Sequence, residues 1–308
     1  MKARPTAQLD TTRPFRAADA RIAGISRRQL EGPRYTRLFR GVYVDSSTPL
    51  DLTTRIRAAQ LVLPADAVVS HVSAMRLHGF DAGWDPRLHF STNFPLTSRH
   101  EGIVLHRRQG MLHPSFVSGL PVTGPDRTFV DVAPRLGLVD LVAFGDHLVH
   151  RGLTTPEDLR DYAEERHLNG VQRARRVSRR VRRGAESPRE TRSRLMLLFA
   201  RLPDPELNVD VHDEHGQFLG RGDMVYRRWR VVVEYDGEHH LRDAATWQRD
   251  LRRRELFEAA GWTYIVITKA DMAVPASIPS RVHRALRANG YRGPAPVLSA
   301  EWTRWFRA

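Results

Sequence analysis

The run Val231-Val232-Val233, closed by Glu234, Tyr235 and Asp236, constrains the fold of this chain more than any other stretch. A continuous β-branched run without polar alternation reads as a strand covered on both faces. Such a strand needs neighbours in a sheet and helices above and below it. Its end is a problem, because carboxylates at the edge of a core are costly unless something pairs with them. Residues two apart on a strand share a face, so Glu234 and Asp236 point the same way. Asp223 waits on the preceding strand, within reach in a tight antiparallel pair.

The flanking sequence supplies the layers. Ser187, Pro188 and Glu190 make a helix start, with Ser187 as N-cap and Pro188 in the first position. Leu195, Leu198, Phe199 and Leu202 give that helix an apolar stripe. Strands follow at 207–211, 216–226 and 229–236, then a charged helix over 243–260 that Gly261 ends. A strand at 262–267 and a helix at 278–289 complete the order α-β-β-β-α-β-α. The aromatic tail with Trp302, Trp305 and Phe306 reads as a helix packed on the body.

Several carboxylates at one point repel one another, and a cation that holds them together relieves this. Oxygen ligation suits Mg²⁺ or Mn²⁺, and Asp223, Glu234 and Asp236 are the candidate metal ligands, with Glu190 arriving from the first helix turn. The plainer alternative is that the acids mark where the strand surfaces and pair with Arg221, Arg249 or Arg253.

The formal charge of +14 points to a polyanionic partner, most simply DNA. Only Lys2 and Lys269 are lysines, so the basicity is arginine, and its distribution matters more than its total. Ten arginines fall between Val171 and Arg194. Ala174, Val177 and Val181 recur at helical spacing, so the start of this segment reads as a helix with a basic face. Arg179, Arg180 and Arg183 are its candidate phosphate contacts, against the reading of a solvated connector.

At the N-terminus, a short helical pattern over 16–22 meets a turn at Gly24. Ser26 and Gln29 then form a capping box that starts a second helix with Arg27 and Arg28 in its first turn. Residues 35–44 read as a hairpin carrying Arg37 and Arg40. Helix, turn, capped helix and strand pair make a winged helix-turn-helix, with Arg27 and Arg28 toward the groove and Arg37 and Arg40 on the wing. His71 and His78, seven apart on an expected helix, read as core or surface residues rather than ligands.

Gly24-Ile25-Ser26-Arg27 with Leu30, followed by Arg37-Leu-Phe-Arg-Gly-Val-Tyr43, resembles the N-terminal domain of AbiEi-type (type IV) antitoxins. His71-Val-Ser-Ala-Met-Arg-Leu-His-Gly79 and Arg127-Thr-Phe-Val-Asp-Val-Ala133 resemble signatures of the middle segment of the same group. That resemblance implies an autorepressor of a toxin–antitoxin operon, with a cognate toxin as a further partner. Arg221-Gly-Asp223, Val231–Gly237, His239-His240 and Asp250 with Arg253 or Arg254 resemble the very-short-patch-repair-related branch of the PD-(D/E)XK restriction-endonuclease-like superfamily. This second resemblance implies Asp223 and Glu234 as metal carboxylates and Glu190 as an accessory acid. Asp236 stands where that superfamily has a lysine, so His239, His240, Gln248 or a helix arginine would take its role.

The absence of cysteine excludes thiolate catalysis, disulfides and Cys-based zinc sites. No apolar run spans a bilayer and no signal peptide is visible, so a cytoplasmic protein without a membrane partner is expected. The expected architecture is α+β and multidomain. A winged helix occupies 1–48, an antitoxin-like middle region 49–165, and a basic helical linker 166–187. An endonuclease-like domain follows at 188–290 and a tail at 291–308. The leading functional expectation is a metal-dependent DNA endonuclease directed by the winged helix, in phage defence or DNA repair. Its alternative is a non-catalytic DNA-binding regulator or antitoxin with a degenerate nuclease-like domain.

Overall fold

A computed structural model describes residues 9–83, 85–95, 98–108, 110, 112–236 and 244–307. It is a mixed α+β protein of two compact units, residues 1–132 and 133–308. The expected boundaries near 48, 165 and 187 fall inside these units.

The first unit opens with β1 (Phe15–Arg16), α1 (Ala17–Ile22), α2 (Arg27–Leu30), β2 (Tyr35–Phe39) and β3 (Val42–Asp45). The capping box forms as the sequence requires: Gln29 N–H donates to Ser26 Oγ at 3.3 Å, and Ser26 N–H donates to Gln29 Oε1 at 2.7 Å. The hairpin turns at Gly41, whose φ of 76° suits glycine. Strands β1, β3 and β2 form a small sheet around Phe15, Ala20, Leu30 and Tyr35. The unit continues with α3 (Leu52–Gln60), β4 (Val68–Val69), α4 (His71–Leu77), β5 (Leu88–Thr92) and β6 (Ile103–Arg107). It closes with β7 (Pro114–Val117), β8 (Leu120–Thr123) and α5 (Pro125–Val132). The five strands run in the order β6-β5-β4-β8-β7, and Ile56, Val69, Leu88, Phe90 and Val122 build the core beside them.

The second unit begins with α6 (Leu138–His150), α7 (Pro156–Glu165), α8 (Val171–Ser178) and α9 (Pro188–Phe199). Strands β9 (Glu206–His212), β10 (Phe218–Tyr226) and β11 (Val231–Asp236) follow, then α10 (Ala244–Ala259), β12 (Thr263–Thr268), α11 (Ser277–Ala288) and α12 (Ala300–Phe306). From α9 onward the order is the expected α-β-β-β-α-β-α. The sheet order is β12-β11-β10-β9, so the valine run is central: β11 pairs parallel with β12 and antiparallel with β10. Strand β10 starts later than the sequence pattern indicates, because Asp213 Oδ1 accepts from His215 and Gln217 N–H and holds residues 213–217 in a turn. Val211, Val225 and Val232 face Phe257 of α10. By strand alternation Asp223, Glu234 and Asp236 share that face.

Two expectations need correction. Helix α9 is not striped but buried nearly all round, through Thr191, Ser193, Arg194, Leu195, Met196 and Leu197. Arg194, counted with the basic surface run, is fully buried. Its NH2 donates to Asp146 Oδ2 of α6 and to Arg180 O, each at 3.0 Å. Asp146 also accepts from Arg182 N–H and the Thr191 hydroxyl at 2.8 Å. Residues 180–182 therefore contribute backbone to a core ion pair and are not a solvated linker. Helix α12 packs as expected, with Trp302 and Phe306 buried and Trp302 Nε1–H donating to Met196 O. Among the described residues, no helix is long and apolar enough to cross a membrane.

Removing one partner of a buried pair strands the other charge. Asp146→Ala is expected to cost roughly 3–5 kcal/mol, and Asp146→Leu with Arg194→Met much less. Denaturant unfolding of the full chain, followed on a second-unit signal such as Trp302 fluorescence, checks both.

Candidate nucleic-acid interface and carboxylate site

The N-terminal segment of α1, α2 and the β2–β3 hairpin exposes its arginines unequally. Arg27 Nε pairs with Glu31 Oε1 at 2.8 Å along the helix. Arg28, Arg37 and Arg40 are exposed, and among the described residues none has a carboxylate partner. They are held by a rigid base: Phe15 meets Tyr35 edge-on at 5.6 Å and stacks on Tyr43 at 6.4 Å.

The basic segment differs from its sequence reading. Arg179 leans toward Glu164 at 3.5 Å, and Arg183 forms a two-point pair with Glu157. Arg180 lies over the Phe199 ring at 5.3 Å. These three do not make one free basic face. Three others do come together without a carboxylate partner among the described residues: Arg173 and Arg176 of α8, and Arg304 of α12. Burial, then the charges of Arg176 and Arg304, hold the Arg173 guanidinium below its ordinary value. Arg173 NH2 donates to Leu136 O at 2.6 Å, and Arg304 stacks over Trp305 at 4.9 Å. The i, i+3 spacing of Arg173 and Arg176 was visible in the sequence; the arrival of Arg304 from the tail was not.

The carboxylates at the end of β11 are brought together in part. Asp223 Oδ2 accepts from Tyr235 N–H at 2.9 Å, which locks it to the neighbouring strand. Glu234 accepts from Arg253 NH2 of α10 on one oxygen and from the Tyr264 hydroxyl on the other. Burial pushes the Tyr264 hydroxyl up, so it stays protonated and donates. Glu190 is fully occupied in the α9 cap: Oε1 accepts from the Ser187 hydroxyl, and Oε2 from Asn208 Nδ2 and Glu186 N–H. Asp236 is buried at the end of β11, and Gln248 is exposed on α10. His239 and His240 lie outside the described residues.

Burial is the largest influence on the two central acids. It raises Asp223 from 3.8 to about 6, with Glu190 and Glu186 adding to the rise and the Tyr235 N–H and Arg253 opposing it. It raises Glu234 from 4.5 to about 7, with Arg253 and Tyr264 opposing and Asp223 and Asp250 adding. The chemistry of a divalent-ion site needs ionised oxygens with lone pairs to spare. Here Arg253 and Tyr264 take both oxygens of Glu234, and the cap takes those of Glu190. Among the described residues, no group of three or more histidines and carboxylates is placed to hold a metal. An ion would have to displace Arg253.

Residues 66–179 match the AbiEi antitoxin C-terminal domain. The match starts just before β4 and ends just after α8, so it includes Asp146 but not its partner Arg194. Two uncharacterized proteins of Mycobacterium tuberculosis, from strains CDC 1551 / Oshkosh and H37Rv, are each 27% identical over 260 residues, covering 84% of this chain and 94% of the relative. The similarity to antitoxins is thus supported where the sequence signatures at 71–79 and 127–133 suggested it. Nothing in these matches supports a nuclease.

The antitoxin-like segment also bears on its histidines. His78 is a core residue, its Nε2 2.9 Å from Thr123 O. His71 is buried as well, but it belongs to a cluster of histidines that sequence spacing gave no reason to group.

The raised acids give the second unit a pH dependence of definite sign. Between the unfolded values of 3.8 and 4.5 and the folded values of about 6 and 7, the folded state holds more protons than the unfolded state. The contribution of the two acids to stability is therefore full below about pH 4, declines as pH rises, and levels off above about 7. Asp223→Asn with Glu234→Gln is expected to gain stability on the wild type steadily from pH 4 to 7. Melting temperatures of both proteins across that range check the slope, whatever constant offset the substitutions introduce.

Proposed function

We propose that the chain is a DNA-binding transcriptional regulator of antitoxin type, acting on its own operator and partnered with a cognate toxin. The observation that carries this reading is the match of residues 66–179 to an antitoxin domain, preceded in the chain by two short helices and a β-hairpin that we read as a winged helix. In this reading α2 enters the major groove with Arg28 at its first turn, and the wing lays Arg37 and Arg40 on phosphates. The Arg173, Arg176 and Arg304 group supplies a further basic surface, and the total charge of +14 favours association with a polyanion. The C-terminal sheet then serves as a scaffold, because Arg253 and Tyr264 neutralise Glu234 instead of a metal.

One observation favours a second reading, a Mg²⁺- or Mn²⁺-dependent nuclease. Asp223 of β10 and Glu234 of β11 lie on adjacent central strands with raised proton affinity, as carboxylates awaiting a cation would. In that reading Asp236 and Glu190 assist, and His239, His240 or Gln248 handles the proton.

One pair of measurements separates the two. For the regulator, Arg37→Ala with Arg40→Ala lowers the slope of log affinity against log salt, on DNA from upstream of the gene. The decrease is about 0.9 for each phosphate that the variant no longer neutralises. Asp223→Ala leaves that binding within about twofold, and plasmid stays intact with either metal. Metal-dependent cleavage by wild type that vanishes in Asp223→Ala would establish the nuclease instead.

A further inference from the structure

His71 at the start of α4, His89 of β5 and His106 of β6 converge in the first unit. His71 and His106 stack with centroids 3.6 Å apart and planes 12° from parallel, and His89 lies 5.2 Å from His106. His71 and His89 are buried, and His106 is half-buried. His71 also has a φ of 52°, a left-handed conformation that a buried histidine adopts at a cost of about 1–3 kcal/mol. Something must hold it there.

Hydrogen-bond geometry fixes the protons. Arg108 NH2 lies 2.9 Å from His71 Nε2. A guanidinium only donates, so Nε2 carries no proton. The proton of neutral His71 is therefore on Nδ1, and it is donated to Ser70 Oγ at 2.9 Å. Ser70 Oγ accepts from the Ser91 hydroxyl as well, at 2.8 Å. On the other side, Arg87 grips Asp85 at 2.8 and 2.9 Å and holds its carboxyl well below the usual carboxylate range. The ionised Asp85 accepts from His89 Nε2–H at 3.1 Å. His89 Nδ1 and His106 Nε2 are then 3.0 Å apart, a gap that holds one proton. With a proton on each, the contact becomes repulsive.

We propose that this cluster is a proton-gated latch, which fastens α4 to the β5–β6 edge of the first unit at neutral pH and releases it on mild acidification. The pair His89–His106 accommodates one added proton, because Asp85 compensates it. A second added proton on that pair breaks the nitrogen–nitrogen contact. A proton on His71 Nε2 expels Arg108. The charges facing the cluster sharpen the response. Asp85 and Arg87 face it from the β5 side, and Arg108 from the end of β6. From α5, Asp131 lies 3.9 Å from His71 Nδ1 and accepts from both Arg108 and Arg127. Arg108, at 2.9 Å from His71 Nε2, disfavours a proton on that nitrogen. Asp66, ahead of β4, is engaged by Thr92 and Asn93 at the end of β5 and braces that strand.

The sign follows from proton linkage. The unfolded chain takes up histidine protons near pH 6.5, and the folded cluster resists a second one on the His89–His106 pair and any on His71 Nε2, so stability present above that range is lost as pH falls through it.

The first measurement uses the full-length wild type: imidazole ¹⁵N–¹H correlation spectra at pH 7.5 are expected to show His71 as the Nδ1–H tautomer and His89 protonated on Nε2. The second is thermal unfolding between pH 7.5 and 5.5. His71→Asn with His106→Gln removes two of the three rings and leaves His89 without its nitrogen–nitrogen contact, and asparagine tolerates a left-handed backbone. The wild type is expected to lose several degrees of melting temperature over that interval and the double variant less than half as much. An imidazolium or Nε2–H form of His71 at pH 7.5 overturns the proposal, as does an acid loss equal in the two proteins. If the variant does not fold, the spectra of the wild type still decide, because loss of the His89–His106 coupling by pH 5.5 is required.

Discussion

The second unit depends on one buried ion pair, Arg194 with Asp146. Arg194 is fully excluded from water in the middle of α9, a position where a leucine would ordinarily sit. A guanidinium there is tolerable because the Asp146 carboxylate of α6 and the Arg180 carbonyl accept from it, with the Asp204 carboxylate 4.0 Å from its NH1. Asp146 in turn needs the Arg182 N–H and the Thr191 hydroxyl. The chain between α8 and α9 therefore cannot wander, since two of its backbone groups are ligands of the pair. Geometry elsewhere follows from this anchor. Asn208 Nδ2 reaches Gly184 O and Glu190 from the start of the sheet, and Gly184 has a left-handed φ of 93° with Leu207 pressed against it. A side chain at 184 would meet the Leu207 carbonyl, so the turn, the helix cap and the first strand are fixed together.

The same abundance of arginine that suggested a polyanion partner also disarms the acids. Glu157, Glu164, Glu186, Glu206 and Glu234 each face a guanidinium. Most of these pairs are exposed and contribute about 0–1 kcal/mol each, so they organise the surface more than they stabilise it. Glu234 is different, being half-buried and held by both Arg253 and Tyr264. There the arginine answers the problem posed by a charged residue at the end of an apolar strand. Among the described residues, Arg28, Arg37 and Arg40 are exposed without such a pair.

What was legible in the sequence was local. The Ser26–Gln29 capping box, the wing hairpin, the Ser187 cap and the central valine strand each rest on residues within a few positions of one another, and each formed. The shared face of Asp223 and Glu234 followed from strand alternation. What was not legible required partners from distant elements. Arg194 looked like the other arginines of its run, because nothing local tells a buried guanidinium from a solvated one. His71 looked like a core histidine, and only the pairing of β5 with β6 brings His89 and His106 to it. Arg253 was foreseen as one of several pairing candidates, but the choice among them is made by the helix register of α10.

The position of the Arg194–Asp146 pair also bears on how the antitoxin-like segment relates to the sheet that follows it. Asp146 lies inside the segment matching the antitoxin domain and Arg194 lies outside it, yet neither is tolerable alone. Helices α6 and α9 thus share one core within the second unit, and the sheet is not an appendage joined through a flexible connector. Here the sheet shares α9 with the antitoxin-like helices, and Glu234 of its central strand is held by Arg253 and Tyr264.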